Sequence, residues 1–303
     1  NNSNSNTTSL TGNISTSGTS GFFTYGLFIR DSDSNTTNLT GNISTTGEAA
    51  VGLALSSSDS NTTNLTGNIS TTGDAAYGLF FANSSDSNTT NLTGNITTTG
   101  DAAYGLYLVN SDSNTTTING NITTSGTDGE SKPILLSNSD SNTITLSGKV
   151  QSLGGDQAIS IDGDSDANTF IIESGSTFLG DFENLGTNTV ITNQGVMDGI
   201  ANTGSIATFN NAQTGATYSG TLPVNYNIII NSPTAYGQMF VTSEAGSTNF
   251  GVSSASNKIT IGKYTNVMTG VSDGNVGATR TGSLTGDGQS AVGTANWILS
   301  ETA

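Results

Sequence analysis

The chain has no cysteine and no histidine. Without cysteine there is no disulfide to staple the fold, no thiolate nucleophile and no sulfur ligand for a metal. Without histidine the commonest general base and the commonest transition-metal ligand are missing. Lysine and arginine together number 6 against 23 acidic residues, and the resulting net charge of −17 opposes any nucleic-acid backbone, so no nucleic-acid partner is expected. Only 3 prolines occur, and no apolar run reaches the length of a membrane-spanning helix. Hydrophobic residues fill only 32% of the 303 positions, a composition bordering on the disordered class. What fills the chain instead is Asn, Ser, Thr and 39 Gly.

That polar majority is not random. The string DSNTTNLTGNISTTG starts at Asp33 and again at Asp59, and DSNTTNLTGNITTTG starts at Asp86. Weaker copies start at Asp112 and Asp140, and NSNTTSLTGNISTSG starts at Asn4. The anchor asparagines are Asn6, Asn35, Asn61, Asn88, Asn114, Asn142 and Asn168, recurring at intervals of 26 to 29 residues (Asn35 to Asn61 is 26, Asn6 to Asn35 is 29). Self-similarity at such a period is the signature of a stacked array.

Within a repeat, Asn35, Thr37, Leu39, Gly41 and Ile43 alternate with polar residues, which is strand periodicity. A second apolar strand follows the Gly-Asp-Ala-Ala-Tyr-Gly segment, as in Leu106-Tyr107-Leu108-Val109. A unit this short cannot bury its own apolar face, and stacking buries many together. The expected fold is therefore all-β, a parallel β-helix, or solenoid. Leu10, Leu39, Leu65, Leu92, Ile118 and Leu146 form one predicted core column. Ile14, Ile43, Ile69, Ile96, Ile122 and Val150 form a second, and Leu27, Leu53, Leu79 and Leu106 line the opposite wall. The anchors share parity with the leucines, so Asn35, Asn61, Asn88, Asn114, Asn142 and Asn168 are expected to face inward at a corner as a structural ladder of amides.

After Asn168 the spacing shortens and loosens, and Pro223 is expected to end the solenoid. The expected division is 1–222 for the solenoid, with about eight or nine coils at strand spacing. A small C-terminal β domain or cap, 223–303, follows, with strand-like runs at 225–231, 238–242, 258–261 and 297–299.

The repeat array, together with YNIIINSPTAYGQMFVTSEAGSTNFGV at 226–252, YTNVMTGVS at 264–272 and NWILSETA at 296–303, resembles bacterial autotransporter (type V secretion) passenger domains of the β-helix type. The resemblance implies a right-handed β-helix exported across the outer membrane. The outer-membrane barrel of that family is absent from this chain, which is a departure from it.

Candidate chemistry is thin. Arg30 is the only basic residue before Lys132, whereas polysaccharide-cleaving centres combine carboxylates with basic partners, so the chain is not expected to be an enzyme. Asp162, Asp164 and Asp166 place oxygens at alternate positions like half of a calcium loop, and Asp31 and Asp33 form a similar fragment. Such residues also cap strand ends on their own backbone. No other cofactor is expected. The turn aspartates from Asp33 to Asp166 should stack as like charges, which predicts help from salt or calcium. Tyr25, Tyr77 and Tyr104, beside Phe28, Phe80 and Tyr107, form an aromatic stripe that reads either as a sugar-stacking surface or as cross-strand packing. The first repeat begins almost at the first residue, with nothing before it to cover its strand edges, so end-to-end self-association is expected. The whole reads as a secreted, extracellular bacterial cell-surface structural or adhesive protein, assembling head to tail into a filament or sheath. A glycan-binding or glycan-cleaving β-helix is the alternative.

Overall fold

A computed structural model describes residues 5–18, 23–127, 129–155, 157–256, 262–278, 281–285 and 294–300. The chain is nearly all β, its one helical element among the described residues being a single 3-10 turn at Asp273–Asn275. Each early repeat supplies three strands, for example Thr36–Thr40, Ile43–Thr46 and Ala50–Ser56. Equivalent strands of successive repeats pair in parallel, giving three sheets of 11, 8 and 11 strands, hereafter the first, second and third sheet. This is a parallel β-solenoid.

Register follows the repeat. Leu39 pairs with Leu65, Ile43 with Ile69 and Leu53 with Leu79. The three predicted columns are therefore the core: Leu65, Ile69 and Leu79 are at most 2% exposed. The column thins only at the first coil, where Leu10 is 45% exposed.

The alternation from Asn35 to Ile43 reads as one strand but is two. The chain turns a corner at Gly41 and Asn42, between the first and second sheets. Gly41 has φ of +146°, and its counterpart Gly67 has φ of +147° with a would-be Cβ only 2.1 Å from the Gly41 carbonyl oxygen. Glycine is the residue that admits both the backbone angle and the close approach of the coil below. A second glycine column, Gly26, Gly52, Gly78 and Gly105, lies in the third sheet. There a Cβ on Gly52 would stand 2.3 Å from Ile69 Cγ2, so its absence makes the narrow cross-section possible.

The stack does not stop at Pro223. Strands Asn225–Ile228 and Asn249–Val252 extend the first sheet, and Met239–Ala245 and Met268–Thr269 extend the third. The expected boundary between 1–222 and 223–303 is therefore not where the sheets end. Pro223 sits buried at a corner whose flanking amides keep their bonds: Leu222 N–H donates to Ala245 O at 2.9 Å and Val224 N–H to Ile206 O at 2.8 Å. The proline deletes no ladder bond there. Among the described residues antiparallel pairing is confined to two small two-stranded sheets, Ile230–Ser232 with Ala235–Tyr236 and Thr281–Thr285 with Thr294–Ile298. The latter sets the Trp297 ring edge-on to Phe250, 5.5 Å between centroids. The strand expected at 258–261 lies outside the described residues.

Candidate functional site

The Asp-Ser-Asn corner is built the same way in coil after coil. Its middle residue adopts a left-handed backbone, φ +58° at Ser60 and +57° at Ser87, which turns the chain sharply between the third and first sheets. The flanking side chains then lie along the stack. Asp59 Oδ1 accepts the Asp86 N–H of the following coil at 2.9 Å, and Asp86 Oδ1 accepts that of Asp112 at 2.7 Å. Asparagine carboxamides point the other way. Asn88 Oδ1 accepts the Asn61 N–H of the preceding coil at 2.8 Å, while its Nδ2 donates to Ser58 O at 2.7 Å. The Oδ1 contact recurs from Asn35 through Asn61, Asn88, Asn114 and Asn142 to Asn168, while the Asn114 Nδ2 is buried without a partner. The last five of these asparagines are buried. The amide–amide bond foreseen from sequence is present at Asn61 to Asn88, at 3.2 Å, but the shorter contact is to backbone.

The aspartates singled out as cation ligands are occupied by the protein itself. Asp162 accepts from Ser137 Oγ and Ser165 Oγ, both at 2.7 Å, and from the Asn138 and Asp164 amides. Asp164 is exposed. Asp166 Oδ1 accepts the Thr187 N–H at 2.7 Å. Asp31 pairs with Arg30 at 3.1 Å, and Asp33 Oδ1 accepts the Asp59 N–H at 2.9 Å. Among the described residues no group of three or more acidic side chains converges to hold a metal. Among these bonds only that from the Asp164 amide to Asp162 caps local backbone; Asp33 and Asp166 accept instead from amides of the following coil.

Stacking still leaves its electrostatic mark. The Asp86 carboxyl is pushed above its usual range, first by burial, and also by the neighbouring charges of Asp112 and Asp59. The hydrogen bond from the Asp112 backbone works against this.

The aromatic residues stand on the outer face of the third sheet, half-buried. Tyr77 stacks on Tyr104 at 5.5 Å with planes 3° apart, Phe80 on Tyr107 at 5.5 Å, and Tyr25 on Phe28 at 4.2 Å. The second coil has Val51 and Ala54 at these positions. Phe23 bridges the gap, 5.9 Å from Tyr25 and 6.3 Å from Phe80. Sequence reasoning missed Phe23 because it precedes its strand, in the extra residues that lengthen the first interval. These rings spend much of their face area on one another. Burial raises the Tyr25, Tyr77 and Tyr107 hydroxyls above their ordinary value.

A shallow depression lies on the side of the later coils, lined by Gly129, Gly155, Gln157, Gly180, Asp181 and Asp198. Asp198 already accepts the Gly180 N–H at 2.9 Å, and no basic side chain joins the lining. Among the described residues no helix is long and apolar enough to cross a membrane, which says nothing of strands. No family model matches the chain, and it has no significant match among curated proteins or solved structures.

Proposed function

We propose that this chain is a secreted bacterial cell-surface protein, a passenger of the autotransporter kind, that acts as a structural or adhesive shaft. The observation that carries the reading is the uninterrupted three-sheet stack with its corners pinned by side-chain ladders in both directions along the axis. Such an object presents long repetitive sides rather than a cleft, and repetitive sides suit many weak contacts made at once. It works without chemistry of its own. End-to-end association belongs to the same reading, since parallel strands stacked in register are the pairing by which one solenoid coil extends another.

Microspheres coated with the purified chain test it directly. They should be retained under shear on bacterial lawns or mineral and polymer surfaces better than albumin-coated ones, and equal retention on every surface would overturn the adhesive reading. Electron microscopy of concentrated protein tests assembly, with filaments expected and monodisperse particles counting against it.

The aromatic row supports the alternative of a glycan-binding β-helix, because tyrosine hydroxyls line a half-exposed strip. The ring faces are turned to each other, so sugars would meet edges rather than faces.

A further inference from the structure

The outer face of the first sheet carries no charge in an acidic molecule, and the narrower second sheet shares this with Ser44, Thr46, Ser70, Thr72, Thr97 and Thr99. Thr36, Thr62, Thr89, Thr115 and Thr143 pair in register as one outward column, continued by Thr7 and Thr169 at its ends. Two residues further along each strand runs Asn38, Asn64, Asn91, Thr117 and Thr145. A third column runs Thr40, Thr66, Thr93, Asn119 and Ser147. No charged or aromatic side chain interrupts this face over six successive coils, in a chain of net charge −17. The first to appear is Glu173, beyond Ile172.

The middle column is self-satisfied. Asn64 Nδ2 donates to Asn38 Oδ1 and Asn91 Nδ2 to Asn64 Oδ1, both at 2.9 Å. Side-chain ladders of this kind oppose the natural twist of a sheet. The flanking threonines are different: among the described residues, no hydroxyl of Thr62, Thr66, Thr89 or Thr93 is bonded to the protein. They present a two-dimensional net of free neutral donors and acceptors. The repeat along the stack is about 4.8 Å, and the two threonine columns, four residues apart on each strand, stand about 13 Å from each other. Threonine is stiff at χ1, so little freedom is lost when its hydroxyl and methyl are held in place.

We propose that this face binds ordered water in the form of ice. The inference rests on the adhesive reading and assigns its substrate. Ice is a lattice of neutral donors and acceptors with a short oxygen repeat close to the rise of one coil, and it excludes ions. A charged or irregular face would be mismatched to it, and an uncharged in-register hydroxyl net is complementary. Polysaccharide sites rely on aromatic faces and converging charged or amide groups to orient a chain; this face has neither aromatics nor charge, and its Asn38, Asn64 and Asn91 amides bond to one another.

Ice-affinity partitioning of the full chain, with thermal hysteresis as a second readout, tests the assignment. Wild type should be enriched several-fold in slowly grown ice over an albumin control. Thr89→Tyr or Thr66→Lys should fall to the control level, and Arg30→Tyr, exposed on the third sheet, should partition like wild type. Circular dichroism melts identify which variants are folded, and either face variant suffices. Wild-type partitioning no better than albumin, or folded face variants indistinguishable from wild type, overturns the proposal. Adsorption to crystalline cellulose or chitin that Thr89→Tyr abolishes, without enrichment in ice, overturns it in favour of a polysaccharide. Retention of wild-type microspheres on other surfaces without ice enrichment overturns the ice assignment alone and leaves the adhesive reading standing.

Discussion

Asp86 Oδ1 accepts the backbone N–H of Asp112, from the next coil, at 2.7 Å. The bond needs an acceptor and has no use for a negative charge. The charge is a burden, because burial and the carboxylates above and below raise the Asp86 pKa. A carboxyl whose pKa is higher folded than unfolded binds more protons when folded, so its contribution to stability falls as pH rises through that window and returns on acidification. Asp86→Asn keeps the acceptor and removes the charge. Its melting temperature at neutral pH should exceed that of wild type by about 1–2 °C. The gap should narrow as pH falls toward the carboxylate range. A lower melting temperature at pH 7 would contradict the account.

The same column makes a prediction about ions. Sodium chloride should raise the melting temperature by screening stacked aspartates. Calcium at equal ionic strength should add nothing further, since Asp162, Asp164, Asp166, Asp31 and Asp33 are each tied to other partners or apart. A melting temperature that drops in EDTA would show a cation site after all.

Asn88 is the reverse case, a side chain both of whose ends are in use. Asn88→Ala would orphan the Asn61 N–H and the Ser58 carbonyl in a buried corner. The expected loss is about 2–4 kcal/mol in denaturant melts. Asn35→Ala, at a corner only partly buried, should lose less than half as much.

Among the described residues, eight inward threonine hydroxyls, including Thr63, Thr71, Thr90 and Thr98, are buried with no hydrogen-bond partner in the protein. Thr90→Val preserves shape and removes the orphaned group. It should stabilise the chain by about 0.5–1.5 kcal/mol. A loss of stability on chemical denaturation would mean that the hydroxyl is satisfied in solution.

Two corner glycines separate backbone strain from collision. Gly12 and Gly67 share a positive φ, but a Cβ on Gly12 meets nothing within 4 Å, whereas one on Gly67 strikes the Gly41 oxygen at 2.1 Å. Gly12→Ala should cost about 1–3 kcal/mol from conformation alone. Gly67→Ala should cost more, and comparable melts for the two would refute the steric argument.

The solenoid, its columns and the inward asparagines were legible because near-identical repeats display the same parity many times over. The corner at Gly41 was not, since side chains continue to alternate through it while the backbone turns. Past Asn168 the coils shorten, and Phe209, Tyr218 and Tyr226 take over from aliphatic residues in the core. Pro223 therefore looked like an end while the sheets ran on. For the acidic residues, spacing shows where oxygens recur but not that serine hydroxyls and backbone amides bond to Asp162, Asp166 and Asp33. The neutral face of the first sheet was visible only once register showed which threonines share a side.

The in-register stacking has a consequence for how such a gene can change. The segments TTNLT at 36–40, 62–66 and 89–93 are identical and occupy successive rungs. Removing residues 59–85 would join Ser58 to Asp86 and bring Thr36–Thr40 against Thr89–Thr93, the same five residues it already pairs with. Unequal recombination between such copies would change the length of the stack by whole rungs while leaving the TTNLT strands with neighbours of the same sequence.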